Sequence, residues 1–140
     1  KFDTVFIDAP CSGTGTMRRH PEIPWRLTEK DVTVELPKLQ LTMLKEAAAR
    51  VATGGELIYA TCSVFDEENT QVVDAFLNSP EGTGFSLEPL SEAQILQLPD
   101  FEQAKKLVAV RQNDRGLFQS VPVNADSYDG HFCARLVRNS

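Results

Sequence analysis

Two cysteines, each placed just after a short apolar segment, are the residues in this sequence best suited to chemistry. Cys11 follows the apolar residues 5–7, and Cys62 follows residues 57–60. In an open α/β sheet the strands are buried and rigid, and reactive groups lie in the loops beyond their carboxyl ends. A thiol held there can act as a nucleophile when its surroundings favour the thiolate. Two thiols are more than one addition step needs, which suggests chemistry with both attack and release.

The loop around Cys11 has the composition of a stiff turn followed by a flexible one. Pro10 fixes φ and removes an amide hydrogen directly after Asp8. Gly13 and Gly15 allow the backbone to pass close to a ligand. Taken alone, the loop is more typical of a strand-to-helix connection in which Cys11 is a small buried hydrophobic residue than of a reactive site.

The pattern between the two cysteines predicts a strand, helices and a second strand. Strands joined in this way are parallel, with a right-handed crossover, and are often neighbours about 4.8 Å apart. Cys11 and Cys62 would then project over one crevice. The expected elements are a strand over residues 2–7, a short helix from a capping box at Thr28 and Asp31 to Leu36, a helix from Pro37 to about Ala52 ended by Gly54 and Gly55, and a strand over residues 57–60.

The remaining pattern completes a three-layer α/β sheet, Rossmann-like, with parallel strands at its centre and an antiparallel final strand. Strands 117–121 and 132–137 are joined by a short polar link, so we expect them to lie near one another. The other expected elements are a helix capped by Asp66 and ending before Pro80, a strand over residues 85–90, and helical turns around residues 95–98 and 102–110.

A basic segment stands out in this acidic chain. Arg18, Arg19 and His20 lie close to Trp25, and the prolines between them oppose a regular helix. Arginine offers forked donors to phosphate, and tryptophan offers a flat stacking surface. The alternative is a solvated loop in which Trp25 fills a gap in the core.

Composition limits the classes of function. The 140 residues, 41% of them apolar, suffice for one domain with its own core. A net charge of −6 argues against a free-standing nucleic-acid clamp. No apolar run approaches the roughly 18 residues that cross a bilayer. Three cysteines without CxxC spacing favour neither a disulfide framework nor a zinc site, so we expect no metal and a reducing, cytoplasmic location.

Four segments in the same order resemble one family. Residues 8–15 resemble motif IV, and residues 60–64 resemble motif VI, of the Sun/RsmB family of RNA cytosine-C5 methyltransferases. Residues 18–25 are similar to the segment after motif IV in its bacterial ribosomal RNA members. Residues 129–136 are similar to its terminal strand, where phenylalanine more often replaces His131. Residues 91–114 have no counterpart that we can place.

The resemblance implies methyl transfer from S-adenosylmethionine to C5 of a cytosine in RNA, with ribosomal RNA as the expected substrate. It implies that Cys62 is the nucleophile that adds to C6 and that Cys11 assists proton removal and product release. Asp8 would contact the cofactor, the cytosine or both, and Pro10 would shape the cofactor pocket. The resemblance also places RNA beside Arg18, Arg19 and His20. The base must be unstacked or single-stranded to reach two thiols in a crevice.

Two features that the family uses to bind its cofactor are not found in this sequence. Family members carry a glycine-rich cofactor loop and a ribose-binding acid before motif IV, and neither is found here. We therefore expect residues 1–140 to be the carboxyl-terminal part of one S-adenosylmethionine-dependent methyltransferase domain, with negligible cofactor binding and no activity alone. The first strand would leave an apolar sheet edge open to association.

Two other classes of function stay open. A thiol-dependent hydrolase needs a histidine beside a thiol, and the sequence offers only His20, expected at phosphate or solvent, and His131, expected as a packed edge residue. A dithiol redox protein would usually show CxxC. The other class is a non-catalytic interaction module, and the presence of Asp8 and both cysteines argues against it. Cys133 is expected in the core.

Overall fold

A five-stranded mixed sheet forms the centre of the structure, a computed structural model that describes residues 1–124 and 128–140. Its strand order is β1–β2–β5–β3, and β4 also pairs with β5. β1 and β2 are parallel, whereas β5 is antiparallel to β2, β3 and β4. The fold class predicted from the sequence is therefore confirmed. The strands are β1 (Phe2–Asp8), β2 (Val51–Thr61), β3 (Phe85–Leu87), β4 (Phe118–Ser120) and β5 (His131–Arg138).

Two helices cover one face of this sheet and enclose the main core. α2 packs against α3 and against β2. Alternate residues of β2 and β5, among them Leu57, Tyr59 and Leu136, point into this core and are fully buried, as the period of a strand requires. The helices are α1 (Ile23–Arg26), α2 (Leu36–Ala48), α3 (Thr70–Leu77), α4 (Glu92–Ile95) and α5 (Phe101–Arg111).

The opposite face of the sheet is covered unevenly. α5 contacts β4 at one side, where both line a groove together with His131. At the other side β1 exposes Phe2 and Phe6, which are 63% and 62% accessible. Since β1 pairs only with β2 among the described residues, this part of the sheet has both an open edge and an open apolar face.

The parallel pairing of β1 with β2 fixes where the two cysteine loops begin. Phe6 is paired with Ile58, and Asp8 is paired with Ala60. The Ala9 amide extends this ladder by donating to the Ala60 carbonyl at 2.9 Å. Both strands end at the same level, so the expected arrangement of neighbouring parallel strands is confirmed.

The segment around Gly54 and Gly55 differs from the sequence-based expectation. α2 ends at Ala48, and β2 begins at Val51, so the glycines lie inside a strand and do not end a helix. The register shifts between Phe2 and the next paired residue of β1, and the additional residues of β2 form an irregularity there. Gly54 has φ of 78°, a conformation that glycine adopts without a Cβ penalty. The same glycine pair that suits a helix end also suits a bulge.

The helix before β2 is more continuous than expected. The predicted capping box is confirmed, because the Thr28 hydroxyl accepts from the Asp31 amide and the Asp31 carboxylate accepts from the Thr28 amide at 2.8 Å. A π-helical segment over Asp31–Glu35 then leads directly into α2. Pro37 lies in the first turn of α2, where its missing amide hydrogen is tolerated, and it does not break the chain into two helices.

Several smaller expectations are corrected. Asp66 does not cap α3, because it opens a 3₁₀ turn over Asp66–Glu68 and α3 starts at Thr70. The proline-rich segment forms the single turn of α1, with Pro24 at its start. β3 ends at Leu87 and not at residue 90, because Pro89 cannot donate to a ladder. The helical turn expected around residues 102–110 is confirmed as α5, whereas the turn expected around residues 95–98 lies earlier, as α4, which ends at Ile95.

The strands 117–121 and 132–137 were expected to be neighbours, and β4 pairs directly with β5. Part of their polar link, residues 125–127, lies outside the described residues. No helix in the described ranges has the length and apolar character to cross a membrane.

Gly15 lies where three chain segments come together. Its amide donates to the Cys62 carbonyl at 2.8 Å, and its own carbonyl accepts from the Gly130 amide at 2.8 Å. A Cβ atom on Gly15 would lie 2.1 Å from the Gly130 oxygen and 2.7 Å from the Cys62 oxygen. Only glycine allows the Cys11 loop, the Cys62 loop and the start of β5 to pack this closely.

We expect Gly15→Ala to lower the free energy of unfolding by about 3 kcal/mol, because backbone atoms must move apart to admit the methyl group. Gly54→Ala is the matched control, since a Cβ there meets nothing within 4 Å and the cost is only that of a left-handed conformation, about 1 kcal/mol. Urea unfolding of both variants measures the difference. Equal destabilisation would contradict the close packing described for Gly15.

Candidate active site

The two cysteines identified in the sequence are in direct contact. The Cys11 and Cys62 sulfur atoms lie 3.3 Å apart, and both side chains are half-buried. Cys62 comes directly after the last residue of β2, and Cys11 lies three residues beyond the end of β1. The carboxyl edge of the parallel strand pair therefore presents two thiols at hydrogen-bonding distance.

The surroundings of Cys11 favour its neutral form. Burial is the largest cause and the hydrogen bond with Cys62 is the second, and together they raise the pKa of the Cys11 thiol to about 12. Because the folded protein holds this proton more tightly than the unfolded chain does, Cys11 stabilises the fold below the ordinary thiol pKa near 8.5. That contribution is lost as the pH rises from about 8.5 towards 12. At neutral pH Cys11 is thus a thiol that can donate to the Cys62 sulfur.

A fully buried carboxylate lies behind the two cysteine loops. Glu68 accepts a hydrogen bond from the Ser12 amide at 2.8 Å and one from the Ser63 hydroxyl. Gln40, on α2, donates from Nε2 to the Glu68 carboxylate and to the Pro10 carbonyl, each at 3.0 Å. The residues next to both cysteines are therefore connected to one side chain.

A second polar pair supports the Cys62 loop. Asn69 accepts from the Thr61 hydroxyl at 2.6 Å and donates to the Ser63 carbonyl at 2.9 Å. The Tyr59 hydroxyl donates to the Glu68 carbonyl at 2.6 Å. Burial, followed by the nearby Glu68 carboxylate, raises the pKa of Tyr59, so this phenol remains a donor.

In the glycine-containing loop after Cys11, the polar groups form hydrogen bonds with other parts of the protein. The Ser12 and Gly15 amides donate to Glu68 and to the Cys62 carbonyl. The Thr14 hydroxyl accepts from the Val64 amide at 3.1 Å. These amides hold the loop against the Cys62 segment and are not directed at a ligand.

Asp8 and Pro10, both expected at the cofactor, are exposed beside Cys11. Asp8 is the last residue of β1, and its carboxylate has no hydrogen-bond partner in the described ranges. The Pro10 carbonyl accepts from Gln40, which fixes the turn between Asp8 and Cys11. The loop therefore presents an unpaired carboxylate close to the thiols.

The basic segment is exposed, and among the described residues Asp129 contacts both of its arginines. Asp129 accepts from Arg19 Nε at 2.7 Å and lies 3.6 Å from Arg18 Nη2. The hydrogen bond from Arg19 is the main cause that lowers the pKa of Asp129. Trp25 is 89% exposed, so the alternative in which it fills the core is wrong.

Both histidines are exposed, and neither contacts a thiol in the described part of the chain. His20 faces Glu22, with Nδ1 3.5 Å from the carboxylate. His131 was expected to be a packed edge residue and is not, because it lies at the exposed start of β5. The histidine–thiol pair that a thiol hydrolase requires is therefore not formed. Cys133 is half-buried in β5, and burial raises its pKa.

Three residues that support the thiols were missed in the sequence: Glu68, Gln40 and Asn69. Glu68 belongs to a run of three acids that begins at Asp66. A run of acids is normally a solvated surface, and nothing in its composition shows which member is buried. Its position shortly after the Cys62 loop is the one pointer that was available.

Related proteins of known family point to one class. The profile of the family described as 16S rRNA methyltransferase RsmB/F matches residues 1–137. The ribosomal RNA small subunit methyltransferase B of Pectobacterium atrosepticum is 36% identical over 138 residues, which are 99% of this chain and 27% of that protein. The chain thus spans about a quarter of the length of this curated relative.

Solved structures agree on the fold. The crystal structure of PH0851 superposes with a TM-score of 0.73 and 35% identity, over 97% of this chain and 26% of that one. A methyltransferase homologue from Pyrococcus horikoshii, at 23% identity and a TM-score of 0.66, covers 99% of this chain and 39% of its own. The fold is of the Rossmann-like methyltransferase type. Within that class, the chain belongs to the 16S rRNA methyltransferase RsmB/F family.

The raised pKa of Cys11 predicts an unusual pH profile for its alkylation. We expect the rate of iodoacetamide modification at Cys11 to keep rising through pH 10, because the thiolate forms only near pH 12. Free glutathione, measured in parallel, should level off near the ordinary thiol pKa of about 8.5. Peptide mapping by mass spectrometry separates the three cysteines. A plateau for Cys11 close to that of glutathione would contradict this assignment.

Proposed function

We propose that this chain carries the two catalytic thiols of an RNA cytosine-C5 methyltransferase that acts on ribosomal RNA. The observation that carries the proposal is the 3.3 Å contact between Cys11 and Cys62 at the ends of two parallel strands, in a chain of the RsmB/F family. Cytosine C5 is a weak nucleophile in the intact ring, so a covalent step is needed to activate it.

Cys62 is the proposed nucleophile. Its thiolate adds to C6, and the electron pair of the C5–C6 double bond becomes available at C5 as in an enamine. Cys62 lies one residue beyond β2, whereas Cys11 lies three residues beyond β1, so the backbone of Cys62 is held more closely by the sheet. The Cys11 thiol, held in its neutral form by burial, stabilises the Cys62 thiolate by donating a hydrogen bond to it.

Cys11 is the proposed residue for proton removal and release. After methylation the C5 proton must leave before the C5–C6 double bond can return. Cys11 first gives its own proton to water, and its thiolate then takes the C5 proton. The electron pair of the C5–H bond re-forms the C5–C6 double bond, and the electron pair of the C6–S bond leaves with Cys62 as a thiolate. The contact between the two sulfur atoms allows both to reach adjacent carbons of one ring.

S-adenosylmethionine is the proposed methyl donor and supplies an electrophilic methyl group on a positively charged sulfur. The unpaired, exposed carboxylate of Asp8 fits a cationic ligand at this edge, and Pro10 holds the turn that places it. Asp8, exposed and three residues before Cys11, is also the proposed acceptor for a hydrogen bond from the exocyclic amine of cytosine.

The proposed RNA surface is the segment that follows Cys11. Arg18, Arg19 and His20 are exposed beside the site and suit phosphate oxygens, and exposed Trp25 suits base stacking. Binding would require Arg18 and Arg19 to share or exchange their ion pairs with Asp129. The local cluster supplies positive charge that the whole chain, at −6, does not.

We further propose that residues 1–140 are the carboxyl-terminal part of one methyltransferase domain and have no activity alone. Exposed Phe2 and Phe6 at the open edge of the sheet fit a surface that further chain covers. The length of the curated relative, of which this chain covers 27%, supports the same proposal. Three free cysteines suit a reducing location such as the cytoplasm.

The division of roles between the thiols predicts opposite results for two variants of the full-length protein. Cys62→Ala should abolish methyl transfer and form no covalent complex, because no atom can add to C6. Cys11→Ala should add to the base but release it slowly, so that a protein–RNA complex accumulates as a shifted band on a denaturing gel.

Cys133→Ala is the control, since Cys133 is paired with Ala60 in the sheet and forms no hydrogen bond with either thiol in the described residues, and it should retain turnover. Normal turnover by Cys11→Ala would show that Cys11 is not the releasing group. Methyl transfer by Cys62→Ala would contradict the proposed function itself.

A further inference from the structure

Glu68 is a buried ionisable residue to which the proposed chemistry gives no role. It lies on the 3₁₀ turn Asp66–Glu68 and is fully buried. Removing a carboxylate from water is costly unless hydrogen bonds replace its hydration. Glu68 receives three such bonds, from the Ser12 amide, the Gln40 side chain and the Ser63 hydroxyl.

These donors come from separate parts of the chain. One carboxylate oxygen accepts from Ser12, the residue after Cys11, at 2.8 Å. The other accepts from Ser63, the residue after Cys62. The two oxygens of one rigid group therefore span the two loops, so the separation of the loops is tied to the width of a carboxylate.

Gln40 connects this bridge to the helical layer. Its Nε2 donates to the same Glu68 oxygen as Ser12 does and also to the Pro10 carbonyl, each at 3.0 Å. The turn that leads into Cys11 is thus held from both sides. Without the carboxylate, the Ser12 amide would become a buried donor without an acceptor, and the Gln40 amide would keep only the Pro10 carbonyl. The Cys11 loop would have to move to give Ser12 another acceptor.

We propose that Glu68 is a positioning residue that holds the Cys11 and Cys62 sulfur atoms in contact by accepting hydrogen bonds from both loops. Its consequence for catalysis rests on the proposed function, whereas the sulfur–sulfur contact itself does not. The role belongs to hydrogen bonding and not to charge. A glutamine at this position keeps one oxygen for Ser12 and Gln40. Its amide nitrogen can donate to the Ser63 oxygen in place of the Ser12 hydroxyl, which then donates to Thr14.

The equilibrium between the two thiols and their disulfide measures this positioning without RNA or cofactor. One glutathione disulfide oxidises the pair, which yields one intramolecular disulfide and two glutathione thiols. The equilibrium constant gives the effective concentration of one thiol at the other. The measurement uses the 140-residue chain with Cys133→Ala, so that only the pair can react.

We expect Glu68→Ala to lower this effective concentration about tenfold or more, because small displacements of reacting groups carry penalties of this size. Tenfold corresponds to about 30 mV in the potential of the pair. Glu68→Gln should remain within about threefold of the parent value, as a hydrogen-bonding role requires. Ser63→Ala, which removes one of the two loop contacts, should lie between them.

Tyr59→Phe is the matched control. It removes a buried hydrogen bond to the backbone of the same residue and leaves the carboxylate contacts in place. If Tyr59→Phe and Glu68→Ala lowered the effective concentration equally, the loss of any buried hydrogen bond near Glu68 would explain the result, and the proposal would be overturned. The proposal would also be overturned if Glu68→Ala left the effective concentration unchanged, or if Glu68→Gln lowered it as much as Glu68→Ala does. If Glu68→Ala does not give a folded circular dichroism spectrum, the other three variants decide. Ser63→Ala must then lower the effective concentration more than Glu68→Gln and Tyr59→Phe do, and an equal effect in all three would overturn the proposal.

The same variants in the full-length protein test the catalytic consequence. Glu68→Ala should lower kcat with little change in KM for RNA, and Glu68→Gln should restore it. If the full-length parent shows no methyl transfer, the proposed function fails while the disulfide result stands. If the parent is active and Glu68→Ala retains its kcat, the positioning role fails while the proposed function stands.

Discussion

The parallel register of β1 against β2 is the constraint on which the rest of the site depends. Asp8 is paired with Ala60, and the ladder continues for one more hydrogen bond beyond the end of β1. Two loops that are 51 residues apart in sequence therefore start side by side, and their cysteines meet at 3.3 Å. A shift of one residue along β1 would move Cys11 away from this contact and would also turn the buried Ile7 to the opposite face.

The side chains that pack beneath the two thiols are polar and hydrogen-bonded, whereas a protein core is usually apolar. Glu68, Ser12, Ser63 and Gln40 are buried and bonded to each other. Such a network has few alternative arrangements, since each displaced group would lose a partner in a low-dielectric region. The glycine contact at Gly15 adds a steric limit from the other side. A thiol pair supported in this way keeps its geometry without the help of a disulfide.

Sequence patterns predicted the parts of the fold that depend on local residue types. The strands, the Thr28 capping box and the parallel pairing followed from apolar segments and from the short connections between them. The role of Gly54 was missed because glycine suits a helix end and a strand irregularity equally, and only the register with β1 decides between them. Trp25 could not be placed because its exposure depends on what surrounds it. Glu68 was missed because one buried acid among exposed ones is selected by tertiary packing. The thiols could be found, whereas the residues that hold them could not.

In the proposed mechanism two contacting thiols divide attack and release, and the Cys62 sulfur is the atom that bonds to the base. The most direct measurement uses the full-length protein with S-adenosylmethionine and an RNA that contains 5-fluorocytidine, whose fluorine cannot leave as a proton does. Trapped protein is digested, and the modified peptide is sequenced by mass spectrometry. We expect a nucleotide joined to Cys62, with Cys11 unmodified. An adduct on Cys11, or no adduct from protein that methylates unsubstituted RNA, would contradict it.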